Sequence, residues 1–204
     1  EGSKNHSALA HLSTPYDTGA AEASEGHVLW LTGLSGSGKT TIAYALKERL
    51  STLGYACFVL DGDRMRRGLS SDPGFSAQDR SENIRRAAEV SKLFAEAGLI
   101  CITAYISPYR ADRAAARQIC GAGFSEIHIS TDLATCETRD PKGLYKRSRA
   151  GQIPDFTGVS SPYEAPETPD LTIDTSREPL DECIRRLLAH LSEHCAPRRP
   201  APRQ

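Results

Sequence analysis

The chain has 204 residues, of which 39% are hydrophobic and 25% are charged, as is ordinary for a globular protein. The formal net charge is −1, so no overall field favours nucleic acid or an anionic membrane as a partner. No stretch approaches the ~20 apolar residues that span a bilayer, and none of the six cysteines forms a C-x-x-C pair. Free thiols in such a chain indicate a cytoplasmic location. Cys57 and Cys101 lie in strand-like apolar runs, so we expect both to be buried.

The pattern along the chain predicts one folded domain between two tails. Residues 1–26 are rich in Ser, Ala, Gly and His and show no period, so we expect a flexible leader or an interdomain linker there. The domain is expected to span residues 27–195. The Pro- and Arg-rich residues 196–204 are expected to form a disordered tail.

Strand-like and helix-like segments alternate within this domain. Apolar or alternating runs predict strands at residues 27–32, 56–60, 99–106, 124–130 and 171–173. Helical periodicity predicts helices at residues 39–53, 77–97, 111–120 and 178–194, with a further helix starting at 132. This alternation favours an α/β fold with a mostly parallel five-stranded sheet and helices on both faces. In such sheets, ligands bind at the carboxyl ends of the strands.

A glycine-rich segment joins the first predicted strand to the first predicted helix. Residues 33–40 read Gly-Leu-Ser-Gly-Ser-Gly-Lys-Thr, which is the G-x-x-x-x-G-K-[ST] spacing of a P-loop. Backbone N–H groups of such a loop point at phosphate oxygens, the lysine reaches the β- and γ-phosphates, and the threonine hydroxyl binds Mg²⁺. The alternative is a glycine-rich turn with a surface lysine. The residues expected to bind ATP here are Gly33, Ser35, Gly36, Ser37, Gly38, Lys39, Thr40 and Thr41.

Two carboxylates, Asp61 and Asp63, follow the second predicted strand. Beside a P-loop, such groups can hold the Mg²⁺ shell or accept a proton from a substrate hydroxyl. The alternative is an Asp-Gly turn with solvated carboxylates. Arginines at positions 64, 66 and 67 follow, and they form either a solvated face or a clamp for a second anion.

The long helix predicted at 77–97 has Ser76 as its expected N-cap. Arg80, Asn83 and Arg86 are three residues apart and share a face, which is either solvated or directed at a substrate. Phe75, in the loop before this helix, is either a plug of the core or a ring that stacks on a base.

Two further segments complete the predicted site. Ser107 follows the third predicted strand, at its carboxyl end. Residues 139–151 contain five Lys or Arg, which indicates either nonspecific surface charge or a lid that closes over phosphates. Gly143 and Gly151 could act as its hinges.

Together, these motifs resemble the adenylylsulfate kinase (APS kinase) family. The likeness covers about residues 26–191. The matching segments are residues 33–41, 60–63, 74–76, 79–80, 82–86, 106–110, 139–145 and 156–158. The resemblance implies a P-loop NTPase-type three-layer fold with a cationic lid. It also implies Mg²⁺-dependent transfer of the ATP γ-phosphoryl group to the 3′-hydroxyl of adenosine 5′-phosphosulfate (APS). The products would be PAPS and ADP, in sulfate activation.

The resemblance also implies residue roles. Asp63 is the expected base for the 3′-hydroxyl, Phe75 and Phe156 are expected to sandwich the adenine of APS, and Arg139 is expected near the ATP base. Ser107 matches a serine that some relatives phosphorylate, and it could equally be a strand-end cap or a substrate contact. The expected catalytic residues are Lys39, Asp63 and Ser107, with Thr40 as the metal ligand. The expected APS-binding residues are Asp63, Arg66, Phe75, Arg80, Asn83, Ile106, Ser107, Lys142 and Phe156.

Family members commonly form homodimers, and the leader is compatible with fusion to or association with ATP sulfurylase. The chain departs from the usual family pattern at Arg64 and Arg67, which could alter substrate affinity or inhibition. Two other hypotheses stay open at this point. One is a P-loop kinase for a nucleoside or a sugar acid, and the other is a non-catalytic nucleotide-binding module.

Overall fold

The computed structural model describes residues 26–195, so the predicted tail and all but the last residue of the predicted leader lie outside the described residues. The strands are β1 (His27–Thr32), β2 (Cys57–Asp61), β3 (Ile100–Ala104), β4 (Phe124–Ile129) and β5 (Leu171–Ile173). The helices are α1 (Lys39–Thr52), α2 (Gly62–Met65), α3 (Ala77–Glu96), α4 (Arg110–Cys120), α5 (Leu133–Arg139), α6 (Leu144–Arg149) and α7 (Leu180–His194).

The five strands form one parallel sheet in the order β2-β3-β1-β4-β5, which confirms the predicted fold class. The central strand β1 is buried on both faces, because successive side chains of this strand point into two different hydrophobic cores. Leu29 and Leu31 pack with α1 and α7, whereas Val28 and Trp30 pack with α3 and α4. The molecule therefore has three layers, and the carboxyl ends of all five strands meet at one edge.

Most differences between predicted and observed elements are shifts of one or two residues. The third strand is shorter than predicted, because β3 ends at Ala104 although the apolar run continues to Ile106. The Tyr105 N–H still donates to the Leu31 carbonyl oxygen, and the pairing then stops, because Ser107 has a φ of 40° and Pro108 has no N–H to donate. The short helices α2 and α6 are not among the predicted elements. Cys101 is buried as expected, but Cys57 is only partly buried, because β2 is an edge strand.

The start of α3 confirms Ser76 as its N-cap. The Ser76 hydroxyl accepts a hydrogen bond from the Asp79 N–H, and the Asp79 carboxylate accepts one from the Ser76 N–H. This capping box aligns α3 beside the sheet edge. None of the helices within residues 26–195 combines the length and apolarity that crossing a membrane requires.

Candidate active site

The glycine-rich loop runs from the end of β1 to the start of α1. Gly36 and Gly38 have φ values of 75° and 99°, which disfavour side chains. A Cβ at Gly36 would also lie 2.8 Å from the Cys136 carbonyl oxygen. Gly38 is the N-cap of α1 and supplies no side-chain cap, so the first N–H groups of α1 remain available to an anion.

Lys39 lies inside the curve of this loop. Its ammonium donates to the carbonyl oxygens of Gly33 at 2.8 Å and Leu34 at 2.6 Å, and to the Ser37 hydroxyl at 3.2 Å. The residue is 7% exposed, and burial lowers the pKa of the ammonium to about 8. A cation is therefore held where the loop and the helix N-terminus converge.

Asp61 connects the loop to the next strand. The Thr40 hydroxyl donates to one Asp61 carboxylate oxygen at 2.8 Å. The other oxygen accepts from the backbone N–H groups of Asp63 at 3.0 Å and Arg64 at 3.3 Å, which starts α2. Thr40 and Asp61 are hard oxygen donors of the kind that Mg²⁺ prefers, so their chemistry fits this metal. From the sequence, Asp61 is a candidate for the Mg²⁺ shell but is absent from the expected site residues, and its position at the carboxyl end of a strand beside the phosphate loop is the signal that supports it.

Asp63 pairs with a residue of the cationic segment 139–151. The Lys142 ammonium contacts the Asp63 carboxylate, and both side chains are more than half exposed. The structure thus brings together two residues that are 79 positions apart, both of which were assigned to the site from the sequence.

The cationic segment is also tied to the glycine-rich loop. The Tyr145 hydroxyl donates to the Ser35 carbonyl oxygen at 2.9 Å, and the ring is buried. Arg139 donates to the Thr175 hydroxyl at 2.7 Å and to its carbonyl oxygen at 2.9 Å. The Thr175 hydroxyl in turn lies 2.8 Å from the Ser37 carbonyl oxygen. Tyr145 lies in the matching segment 139–145 but is given no role from the sequence, and Thr175 has no distinctive sequence signal, because only the folded chain carries both residues to the loop.

A second cluster surrounds Phe75, whose ring is 61% exposed. The Arg66 guanidinium lies 4.4 Å from the ring centroid, and that of Arg80 lies 5.9 Å from it. Arg80 also donates to the Asp155 carbonyl oxygen at 2.6 Å and to the Thr157 hydroxyl at 3.1 Å. Two arginines and an exposed ring therefore lie together, beside the segment that contains residue 156.

Phe156 and Asn83 are buried, unlike the exposed Phe75. Phe156 is 8% exposed, and its ring meets Tyr145 edge-on at 5.1 Å between centroids. Asn83 is buried, and its side-chain oxygen has no hydrogen-bond partner. Arg86 was grouped with Arg80 and Asn83 on one helix face, but it forms ion pairs with Asp72 and Glu82 instead.

Ser107 is buried at the carboxyl end of the sheet. Its hydroxyl accepts a hydrogen bond from the Trp30 indole N–H at 3.1 Å. Its carbonyl oxygen accepts one from Arg113 at 2.6 Å. The preceding carbonyl oxygen, that of Ile106, accepts from the Thr32 hydroxyl at 2.7 Å. These bonds hold a backbone turn with a positive φ that a non-glycine residue adopts only at a cost.

The family model described as "Adenylylsulphate kinase" matches residues 25–174. The chain belongs to the adenylylsulphate kinase family. A relative from Clostridium acetobutylicum, named adenylyl-sulfate kinase, is 51% identical over 170 residues, which are 83% of this chain and 85% of the relative. A second adenylyl-sulfate kinase, from Marinobacter nauticus, is 56% identical over 167 residues, which are 81% and 84% of the two chains. Family membership makes the protein an ATP-dependent kinase.

Solved structures agree with this assignment. The APS kinase CysC of Mycobacterium tuberculosis, in complex with AMPPNP and APS, is 43% identical with a TM-score of 0.80. The match covers 82% of this chain and 98% of that one. A hexameric APS kinase from Thiobacillus denitrificans is 36% identical with a TM-score of 0.65, over 84% of this chain and 30% of that one. A gluconokinase from Sinorhizobium meliloti, 18% identical with a TM-score of 0.54, shares the fold alone.

Proposed function

We propose that this chain transfers the γ-phosphoryl group of ATP to the 3′-hydroxyl of APS, giving PAPS and ADP. The observation that carries the proposal is the double contact of Asp61. One of its oxygens accepts from Thr40 and the other from the Asp63 N–H. The phosphate loop and the carboxylate proposed as base are therefore held by one buried side chain.

The donor half binds ATP through residues 33–41. The uncapped N–H groups at the start of α1 and the Lys39 ammonium contact the phosphates, because both offer positive charge at the same place. Thr40 and Asp61 would hold Mg²⁺, directly or through water. When bound, Mg²⁺ neutralises charge on the β- and γ-phosphates. Arg139 lies beside the same loop, in keeping with a role near the ATP base.

The acceptor half uses Asp63 as the base that takes the 3′-hydroxyl proton. The Lys142 ammonium contacts this carboxylate, which places a cation directly beside the proposed base. Phosphoryl transfer needs placement and charge more than covalent help from the protein, so one carboxylate beside a cation-rich loop suffices.

APS itself carries a phosphosulfate anion and an adenine ring. Arg66 and Arg80 supply the charge for the anion, and the exposed Phe75 ring supplies a stacking surface, with Phe156 as the proposed second ring. The unpartnered Asn83 oxygen suits an exocyclic amine or a sugar hydroxyl. The edge of this pocket is assigned to Ile106 and Ser107, although burial of the Ser107 hydroxyl against Trp30 favours a positioning role for it.

Three assignments, on the location, the oligomeric state and the association of the enzyme, stay proposals from the sequence. They are a cytoplasmic location, a homodimer, and association with ATP sulfurylase. Self-association is supported by the hexameric relative from Thiobacillus denitrificans. Light scattering coupled to size-exclusion chromatography would measure the mass of the assembly, and a single-chain mass at micromolar concentration would contradict it.

The direct test is ADP release from Mg·ATP with a panel of acceptors. We expect turnover with APS, none above background with gluconate or adenosine, and a product whose mass is APS plus one phosphoryl group. Chelation of Mg²⁺ should stop turnover, and added Mg²⁺ should restore it. Lack of ADP release with APS would overturn the proposal. Turnover with gluconate alone would instead indicate a sugar-acid kinase, whereas ATP binding without any turnover would indicate a binding module.

A further inference from the structure

A group of histidines lies at the opposite edge of the sheet from the glycine-rich loop. His27 is the first residue of β1, and Ser125 is the second residue of β4. His190 and His194 lie in the last turns of α7. Because all strands are parallel, their amino ends are separated from the active site by the length of the sheet. The cluster therefore has no part in the phosphoryl transfer described above.

Hydrogen bonds already orient these rings. His194 Nδ1 lies 2.8 Å from the His190 carbonyl oxygen, which can only accept, so Nδ1 carries the proton and Nε2 keeps its lone pair. His27 Nε2 and His190 Nε2 each lie 2.8 Å from the Ser125 hydroxyl oxygen. That hydroxyl has a single proton, so at least one of these two rings must donate to it through Nε2. Where His190 is the donor, its Nδ1 keeps a lone pair that can bind a metal ion.

A carboxylate completes the set. The ligand atoms of His190, Glu193 and His194 lie within 4.8 Å of one another. The two histidines are four positions apart on α7, so they share a helix face, and their ring centroids are 4.5 Å apart. Glu193 is exposed and free to turn towards them. The C-terminus of a helix also carries partial negative charge, which favours a cation at this place.

We propose that His190, Glu193 and His194 bind a divalent transition-metal ion, with Zn²⁺ as the representative. Two imidazoles and a carboxylate are a donor set for Zn²⁺, whereas Mg²⁺ prefers oxygen ligands alone. Ser125 orients His190 from behind, in the way that partners of metal-bound imidazoles commonly do. The three ligands all lie on α7, and the hydrogen bond from His190 to Ser125 connects this set of ligands to β4.

Zn²⁺ titration of metal-free protein, without nucleotide and followed by calorimetry, tests this proposal. We expect the double variant His190→Ala/His194→Ala to lack one Zn²⁺ site that the unmodified chain has. Single removal of His194 should weaken that site more than about 100-fold, and Ser125→Ala should weaken it about 10- to 100-fold. The matched control is Glu182→Gln, which alters a partly exposed carboxylate of α7 paired with Arg185, and it should leave the site unchanged.

Two further readouts separate this site from other binding. His6, His11 and the thiols are present in every variant, so only the difference between variants reports on the cluster. Zn²⁺ should raise the Tm of the unmodified chain and of Glu182→Gln but not that of the double variant, whose circular dichroism confirms that it folds. With Co²⁺ in place of Zn²⁺, the difference spectrum between the unmodified chain and the double variant should lack thiolate charge-transfer bands. Equal Zn²⁺ stoichiometry and affinity in the double variant, or thiolate bands in that difference spectrum, would overturn the proposal.

Discussion

Replacing Asp63 with asparagine isolates the proposed base from the rest of the site. The backbone N–H of Asp63, not its side chain, binds Asp61, so the start of α2 survives the change. The side chain is 60% exposed and pairs with Lys142, which is 54% exposed. A pair so open to solvent contributes about 1 kcal/mol or less, so the free energy of unfolding should change by no more than that.

Catalysis should respond far more strongly. Loss of a positioned general base typically lowers kcat about 100- to 10,000-fold. This corresponds to about 3–5 kcal/mol on the activation free energy, at about 1.4 kcal/mol for each factor of ten. ATP binding should persist, because Lys39 and the loop do not contact the Asp63 side chain through any of the hydrogen bonds described above.

The assay is ADP release at saturating Mg·ATP and APS, with calorimetry for the affinity of an ATP analogue and urea unfolding for stability. Glu89→Gln is the control, because Glu89 is a half-exposed carboxylate that pairs with Arg85 on α3. We expect that control to keep the kcat of the unmodified enzyme. If Asp63→Asn retained more than a tenth of kcat, the assignment of Asp63 as the base would be wrong.

Three other predictions concern the acceptor, the donor and the fold. Phe75→Ala should raise KM for APS more than KM for ATP, because the exposed ring lies close to both Arg66 and Arg80; equal increases would contradict stacking. Burial lowers the pKa of Lys39 to about 8, so the affinity for ATP should fall as the pH rises above 8, where the free ammonium loses its proton. Lys39→Arg should show no such fall, and a pH-independent affinity of the unmodified chain would refute the reasoning. Ser76→Ala should cost about 1 kcal/mol of unfolding free energy by loss of the capping box, whereas Ser81→Ala, within α3, should be nearly neutral in urea unfolding; equal costs would argue against the cap.

Several elements were predictable because their signals are local. The alternation of apolar runs with helical periods places β1 and β5 at the observed residues, and Ser76 followed by Asp79 marks the start of α3. Such signals act through neighbouring residues, whose backbone conformation depends little on distant parts of the chain. The prediction for the third strand is too long, because an apolar run indicates which residues are buried and does not mark where hydrogen bonding between strands ends.

The contacts and the exposure of individual side chains were less predictable. Arg80 and Arg86 are expected on one helix face from their spacing, yet Arg80 reaches Asp155 and Arg86 pairs with Asp72. Phe75 and Phe156 were assigned one role, but one ring is exposed and the other is buried against Tyr145. The exposure of each ring depends on how the loops fold over the edge of the sheet, and the spacing of residues in the sequence does not indicate this.

The sequence by itself determined the donor half of the site. Residues 33–40 form a phosphate loop through contiguous backbone groups, so their spacing alone specifies the structure. Only the tertiary structure decided that Asp61 joins Thr40 to Asp63, that Lys142 meets Asp63, and that the Ser107 hydroxyl is buried against Trp30. Apart from the local contact between Asp61 and Asp63, these contacts join residues that are distant along the chain. They exist because parallel strands bring their carboxyl ends to one edge, where packing decides which side chains meet.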